Sequence, residues 1–354
     1  LNVVKDLAVS EMERSFTTFR MTKNVIHSNG RLEVNKGLAD SITDVKGITV
    51  GSWEDEKALT GCTVVLTGRE GAVCGVDVRG SAPGTRETDL LSPINTVEKI
   101  HAVLLSGGSA FGLDAACGVM QFLEEQGIGH SVGPTVVPIV PGAVLFDLGV
   151  GDYRVRPNRE SGYLACKRAG LEVREGNAGA GMGATVGKLR GYSHCTKGGL
   201  GTASLKLKNG FTVGALVALN AFGDILDPQT SQLIAGVRNN DGSLLGTEKA
   251  WQKAKGEVNL PFGTNTTIAI VACNGEFDKG RTTKIAQMAH DGLARVIRPV
   301  HTMCDGDTIF ALSTGEMAMD VSAAGYLAQE VLSQAILRAV YAAASVPGIK
   351  CCRE

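Results

Sequence analysis

Apolar runs in this 354-residue chain are short. Stretches such as "FTVGALVALNAFG" fall below the roughly 18 residues that a bilayer-spanning helix needs, so no membrane partner is expected. The first twenty residues, "LNVVKDLAVSEMERSFTTFR", mix both charge signs and lack the continuous apolar core of a signal peptide. A charge excess is also missing. With 35 Lys and Arg against 36 Asp and Glu, the chain has no long-range field to gather nucleic acid or an anionic surface. Paired cysteine spacings are absent too. The nine cysteines stand singly apart from Cys351 and Cys352, and none forms a C-x-x-C or Cys/His zinc pattern. The expectation is free, buried thiols in a soluble cytoplasmic protein.

What the chain does have is 44% hydrophobic residues and 46 glycines against 5% aromatics. That is enough apolar material for a substantial core, with many tight turns and close backbone approaches. A polar leader over 1–37 precedes what reads as a single domain over 38–354. Short β-rich segments in "SITDVKGITVGSW" and "GCTVVLTGREGAVCGVDVRG" come first. "LDAACGVMQFLEEQGIG" has helical spacing and ends at Gly127, and "RESGYLACKRAGLE" is a short amphipathic helix. Two strands follow, joined by a turn at Asn209-Gly210. Residues 226–264 are polar enough to predict an exposed linker. The chain then closes as strand ("TTIAIVACN"), helix ("RTTKIAQMAHDGLARVI"), strand ("TIFALST") and long Ala-rich helix. Mixed strand and helix without regular βαβ spacing predicts an α/β or α+β sandwich rather than a doubly wound sheet.

Several familiar motifs fail on inspection. Met182, just before "GATVGKL", and Leu189, at its end, stand where a phosphate loop needs Gly and Ser or Thr, and "GAGMGATVG" lacks the dinucleotide fingerprint spacing. The six histidines include no H-x-x-x-H pair, and the G-x-S-x-G elbow is absent.

"GTNTTIAIVACNG" offers another route to a nucleophile. An unactivated threonine hydroxyl is weak, but a threonine at a chain terminus carries its own base, an α-amino group with a pKa of about 7.7–8.0. Such a terminus must be made by cutting. If Thr266 attacked the carbonyl of Asn265 and the ester were hydrolysed, hydroxyl and amine would stand on one residue. On spacing alone, Asn-Thr-Thr is equally an ordinary strand opening. In "HTMCDGDTIFALSTG", Asp305 and Asp307 flank Gly306 just before a strand. These carboxylates either polarise a reacting group or simply form an Asp-Gly turn.

Six segments, "DVRGSAPGTRETDLL", "LLSGGSAFGLDAACGV", "GNAGAGMGATVGK", "ALNAFGD", "NTTIAIVACN" and "HTMCDGDTIFALSTG", together resemble a known family in its order over roughly residues 38–345. It is the self-processing hydrolase family that includes the β-peptidyl aminopeptidases, the L-aminopeptidase/D-Ala-esterases and the nylon-oligomer hydrolases. The resemblance implies a four-layer αββα sandwich. It also implies a precursor that cuts itself between Asn265 and Thr266 into a large chain (1–265) and a small chain (266–354). Thr266 is then the nucleophile in self-cleavage and turnover, and Thr267 is structural. Asn220 matches the asparagine used near the oxyanion, a role that suits a neutral donor. Lys188 matches a lysine beside the nucleophile. Asp305 and Asp307 match the paired acids of the nylon-oligomer branch, where the aminopeptidase branch has Ser-Gly-Glu. Phe146, a candidate pocket residue, departs from the family's tyrosine and cannot donate a hydrogen bond.

The function expected by resemblance is an aminopeptidase-like amidohydrolase that acts on short peptides or amino-acid amides and esters through an acyl-enzyme. It would need no metal or organic cofactor and would self-associate, with a homotetramer as one form. The alternatives are an endo-amidase of the nylon-oligomer type and, from another class, an uncleaved and catalytically silent oligomeric scaffold. A related acetyltransferase type is set aside because its Lys-Gly-Thr does not stand at the cleavage point.

Overall fold

A computed structural model of the chain describes residues 39–254 and 265–354. Eleven strands carry the architecture: β1 (Thr49–Asp55), β2 (Thr60–Leu66), β3 (Ala72–Val78), β4 (Thr85–Arg86), β5 (Lys99–Ile100), β6 (Ala102–Ser106), β7 (Gly142–Val144), β8 (Gly199–Lys206), β9 (Thr212–Leu219), β10 (Ile268–Gly275) and β11 (Thr308–Met317). Among the described residues, five α-helices accompany them: α1 (Ala115–Glu125), α2 (Arg159–Lys167), α3 (Thr247–Lys253), α4 (Lys279–Val296) and α5 (Val321–Ala342). One sheet runs β1-β2-β6-β7-β4 and the other β8-β9-β10-β11-β3-β5. The centre of the second sheet is the pair β10 and β11, which run parallel, whereas β9 and β3 flank them antiparallel.

Side-chain alternation along the strands builds the layers, because successive residues point to opposite faces. From β2 and β6, Cys62, Val64, Ala102 and Leu104 face outward onto Ala116, Val119 and Leu123 of α1 and Ala165 of α2. Val65, Val103 and Leu105 face inward and meet Leu216, Ile268, Ile270, Phe310 and Leu312 of the second sheet. On the far side of that sheet, Ala269, Val271, Ile309 and Ala311 meet Ile285, Ala289 and Leu293 of α4 and Val331, Ala335 and Ile336 of α5. The result is a four-layer αββα sandwich. β10 is buried on both faces, which is why "IAIVAC" is an unbroken apolar run rather than an alternating one.

Three of these helices start where a short polar side chain satisfies a free backbone donor. Asn158 caps α2 by accepting from Ser161 N, Asp278 caps α4 from Arg281 N, and Asp320 caps α5 from Ala323 N. α1 ends as expected at Gly127, whose φ of +64° lets its amide turn back onto the Glu124 carbonyl.

Two sequence readings need correction. "SITD" is not strand; Ser41 and Asp44 form a capping box around a single 3₁₀ turn, Ile42–Asp44. Residues 226–254 are not linker. Asp224–Leu226 pairs with Leu233–Ala235 and with Ile297–Arg298, and α3 follows, with Val237, Leu245 and Ala250 forming a small core of their own. The rest of that predicted linker, 255–264, and the leader over 1–37 lie outside the described residues. All nine cysteines are free thiols, seven of them buried. Among the described residues, no helix is long and apolar enough to cross a membrane.

Candidate active site

Thr266 lies in the run-up to β10, between the ends of its two neighbouring strands. On one side its amide donates to Asn220 O, just past β9, at 3.0 Å. On the other, Asn265 N donates to Cys304 O at 3.3 Å, Gly306 N to Asn265 O at 3.0 Å and Thr308 N to Thr267 O at 3.1 Å. These bonds extend the parallel β10–β11 ladder backward through residues 265–267. The central strand therefore fixes Thr266 from both sides before any side chain is considered.

The Thr266 hydroxyl donates to the carbonyl oxygen of Asn265, the residue just before it. That same oxygen accepts the Gly306 amide. A Cβ at residue 306 would stand 2.5 Å from Ala82 O and 2.9 Å from Thr266 Oγ1, so glycine alone lets this backbone come so close. The segment "RGSAPG" wraps the outside of the loop: Ala82 N donates to Asp305 O at 2.8 Å, and Arg79 N to Asp307 O at 3.0 Å.

Four segments bring the remaining candidates together, and all of them are buried: Lys188, Asn220, Asn265, Thr266, Thr267, Asp305 and Asp307. Lys188 Nζ donates to Asn220 Oδ1 at 2.7 Å and to Asn220 O at 2.9 Å. Asn220 Oδ1 also accepts Thr185 N at 3.0 Å, and its Nδ2 donates to the Phe146 main-chain carbonyl at 3.0 Å. Those partners orient the amide, because one end meets only donors and the other an acceptor. Burial drives Lys188 down to about 7, against the pull of nearby acidic groups that include Asp305, Asp147 and Asp307.

Both acids are placed at the site, yet their oxygens brace backbone. Asp305 Oδ1 accepts Phe222 N at 3.2 Å and its Oδ2 accepts Thr302 N at 2.9 Å. Asp307 Oδ1 accepts Thr267 N at 2.7 Å, and its Oδ2 is held by His301. Burial raises the Asp305 pKa, and the Asp307 charge next to it raises it further. Phe146 is half-buried and enters the network through its main chain. The adjoining Asp147, also buried, accepts Gly108 N and the Thr60 hydroxyl, both at 2.7 Å, which ties "SGGSAFG" to this region.

Sequence reasoning missed Gly306 as a donor, Thr185, His301 and a second buried lysine. Lys197 Nζ donates to the carbonyls of Gly181, Ala184 and Gly198 at 2.8–3.0 Å, and burial brings it, like Lys188, down to about 7. His301 and Gly306 both stand in "HTMCDGD", but backbone donors leave no mark in a sequence. Among the described residues, no group of three or more His, Cys, Asp or Glu could hold a metal ion.

Comparison with known proteins gives a consistent picture. Residues 40–352 match the model of peptidase family S58. An uncharacterized aminopeptidase of Mycobacterium tuberculosis is 44% identical over 89% of this chain and 97% of its own. A 6-aminohexanoate-oligomer endohydrolase of Paenarthrobacter ureafaciens is 30% identical over 84% of each. The structure of the L-aminopeptidase D-Ala-esterase/amidase of Ochrobactrum anthropi, described as a variant of the Ntn-hydrolase fold, superposes with a TM-score of 0.66. It is 18% identical and covers 88% of this chain and 89% of that one.

Proposed function

The chain belongs to peptidase family S58, and from that membership and the geometry at Thr266 we propose a self-processing amidohydrolase with Thr266 as its nucleophile. One observation carries the reading: the Thr266 hydroxyl and the Gly306 amide converge on the carbonyl oxygen of Asn265. The hydroxyl lies beside the bond it would attack, and a fixed donor already touches the atom that would become the oxyanion.

In self-cleavage, Thr266 Oγ1 adds to the Asn265 carbonyl carbon and the Gly306 amide stabilises the oxyanion. The carbon–nitrogen bond then breaks. Net, the hydroxyl proton ends on the departing Thr266 nitrogen, leaving Asn265 esterified to Oγ1. Water cleaves this ester, so the large chain ends in the Asn265 carboxylate and the small chain begins with a free Thr266 amine and hydroxyl. Lys188 sits on the Asn220 carbonyl that holds Thr266 N, so its ammonium lowers the cost of negative charge nearby. In turnover, the Thr266 amine takes the proton as its hydroxyl attacks the substrate carbonyl. An acyl-enzyme forms, and water releases the product. The amide of Asn220 is the donor for the substrate oxyanion.

The substrates proposed are short peptides or amino-acid amides and esters, in keeping with the aminopeptidase name of the 44%-identical relative. The paired acids Asp305 and Asp307 favour, as a second reading, endo-cleavage of 6-aminohexanoate-type oligomers, the activity in the name of the 30%-identical relative. A cytoplasmic location, in keeping with the free thiols, and self-association complete the proposal. The apolar face of α5 is not available for self-association, since it packs on the molecule's own second sheet.

Intact mass and N-terminal sequencing of wild type beside Thr266→Ala test the reading. The expected result is two wild-type fragments, the smaller beginning Thr-Thr-Ile-Ala, and one uncut mutant chain. A single intact chain in both samples would bring the scaffold reading forward.

A further inference from the structure

His301 is assigned no part in the chemistry above, yet it is built into the loop in an unusual way. Its backbone is left-handed, with φ at +57°, a conformation that few non-glycine residues adopt without a reason. With the chain so turned, one residue reaches the same oxygen twice. His301 Nδ1 lies 2.8 Å from Asp307 Oδ2, and its main-chain N donates to that oxygen at 3.2 Å. A carboxylate oxygen only accepts, so Nδ1 carries the proton. The other oxygen, Oδ1, accepts Thr267 N at 2.7 Å. Asp307 is thus a bridge from His301 to the residue after the nucleophile.

The ring is held from behind by helix α4. The His290 ring meets it edge-on at 4.8 Å between centroids, and His290 Nε2 donates to Asp77 O of β3 at 3.0 Å. Behind it, Asp77 Oδ2 lies 3.5 Å from His290 Nε2 and is paired with Arg79 at 2.8 Å. Burial keeps His290 neutral by lowering its pKa. The His290 ring therefore acts as a wedge rather than a competing cation.

Resting on the reading of Thr266 as nucleophile, we infer that His301 is a positioning residue. Its ring N–H fixes the Asp307 carboxylate, and that carboxylate fixes the Thr267 amide, which keeps the Thr266 hydroxyl on the Asn265 carbonyl. Without the ring donor, Asp307 keeps only the weaker main-chain contact on Oδ2, and the strand opening is free to shift. A displacement of about 1 Å at a reacting atom costs on the order of 100-fold in rate.

The test compares the rate of self-cleavage in wild type, His301→Gly, His301→Asn and Thr266→Ala, read as appearance of the 266–354 chain by intact mass. Thermal midpoints are measured on the same samples. Glycine and asparagine both tolerate the left-handed backbone. Glycine removes the ring donor, whereas the asparagine amide replaces it. The expected result is cleavage slowed about 100-fold in His301→Gly and restored to within about tenfold of wild type in His301→Asn, with similar thermal midpoints. Wild-type rates in both variants would overturn the inference, and so would equally slow rates in two well-folded variants. Should His301→Gly fold poorly, His301→Asn decides: near-normal cleavage supports the role and slow cleavage rejects it. Cleavage of Thr266→Ala would sink the nucleophile reading instead, and is distinguishable from all of these.

Discussion

At the scale of single residues, the site is a set of backbone positions more than a set of reacting side chains. The Asn265 carbonyl receives one main-chain donor and one hydroxyl, and the donor belongs to the residue between two aspartates. Gly306 therefore does more than make a turn. A methyl group there would press on Ala82 O and on Thr266 Oγ1 itself, displacing the loop that carries the donor. Gly306→Ala is expected to leave the chain folded and largely uncut. Losing one preorganised oxyanion donor typically costs about 100- to 1,000-fold, which a time course of fragment appearance by mass would resolve. Cleavage at the wild-type rate would mean that the Gly306 amide is not the oxyanion donor. The paired acids carry the complementary lesson. "D-G-D" suggests two reacting carboxylates, and Asp305 and Asp307 do lie at the site, but each spends its oxygens on the amides of Phe222, Thr302, Thr267 and His301.

At the scale of elements, helices α1 and α2 touch through glycine. A Cβ on Gly118 would stand 1.7 Å from Arg159 O, and one on Gly162 would stand 1.9 Å from Ala115 O. In an exposed helix, replacing glycine with alanine stabilises by about 1 kcal/mol. Here the sign reverses, because the helices must separate and expose Ala165 and Val119. Gly118→Ala is expected to destabilise by about 1–3 kcal/mol, seen as a lower urea midpoint with an unchanged slope. The elements also show what periodicity could reveal. Strand β10 and helices α1, α4 and α5 were legible because each puts apolar residues at the spacing of one buried face or, in β10, of two. Residues 226–254 were misread because Asn239, Asn240 and Asp241 make a polar turn. The apolar residues on either side of it, Val237 and Leu245, are too few to show a period, although they close a small core with Ala250. Thr266 and the two aspartates stand out in the sequence as candidates, whereas Asn220 and Lys188 are named only through the resemblance. They come from different segments, and spacing along the chain says nothing of their meeting.

At the scale of the whole molecule, the buried charges set how stability depends on pH. Lys188 and Lys197 titrate at about 7 in the folded protein and at 10.5 in an unfolded chain. Between those values the unfolded chain holds protons that the native one has released, so stability rises with pH across the window. Each lysine contributes up to about 1.4 kcal/mol per pH unit. Buried thiols limit the rise. Burial pushes Cys62, Cys74, Cys166 and Cys273 well above the 9.0 of an exposed thiol, so above pH 9 the unfolded chain loses protons that the native one keeps, these four outweigh the two lysines, and the sign turns over. In acid, two opposed groups partly cancel: raised Asp305 makes stability fall with rising pH, and lowered His290 makes it rise. Stability should therefore climb from pH 7 and peak near pH 9. Urea midpoints taken between pH 7 and 8.5 check this, with Lys197→Met as the sharper arm. That variant is less stable at every pH because three carbonyls lose their donor, and its slope against pH should fall to half that of wild type or less, because the opposing thiols remain. An unchanged slope would mean that Lys197 keeps its charge in the core, stabilised by the three carbonyls and by Asp147.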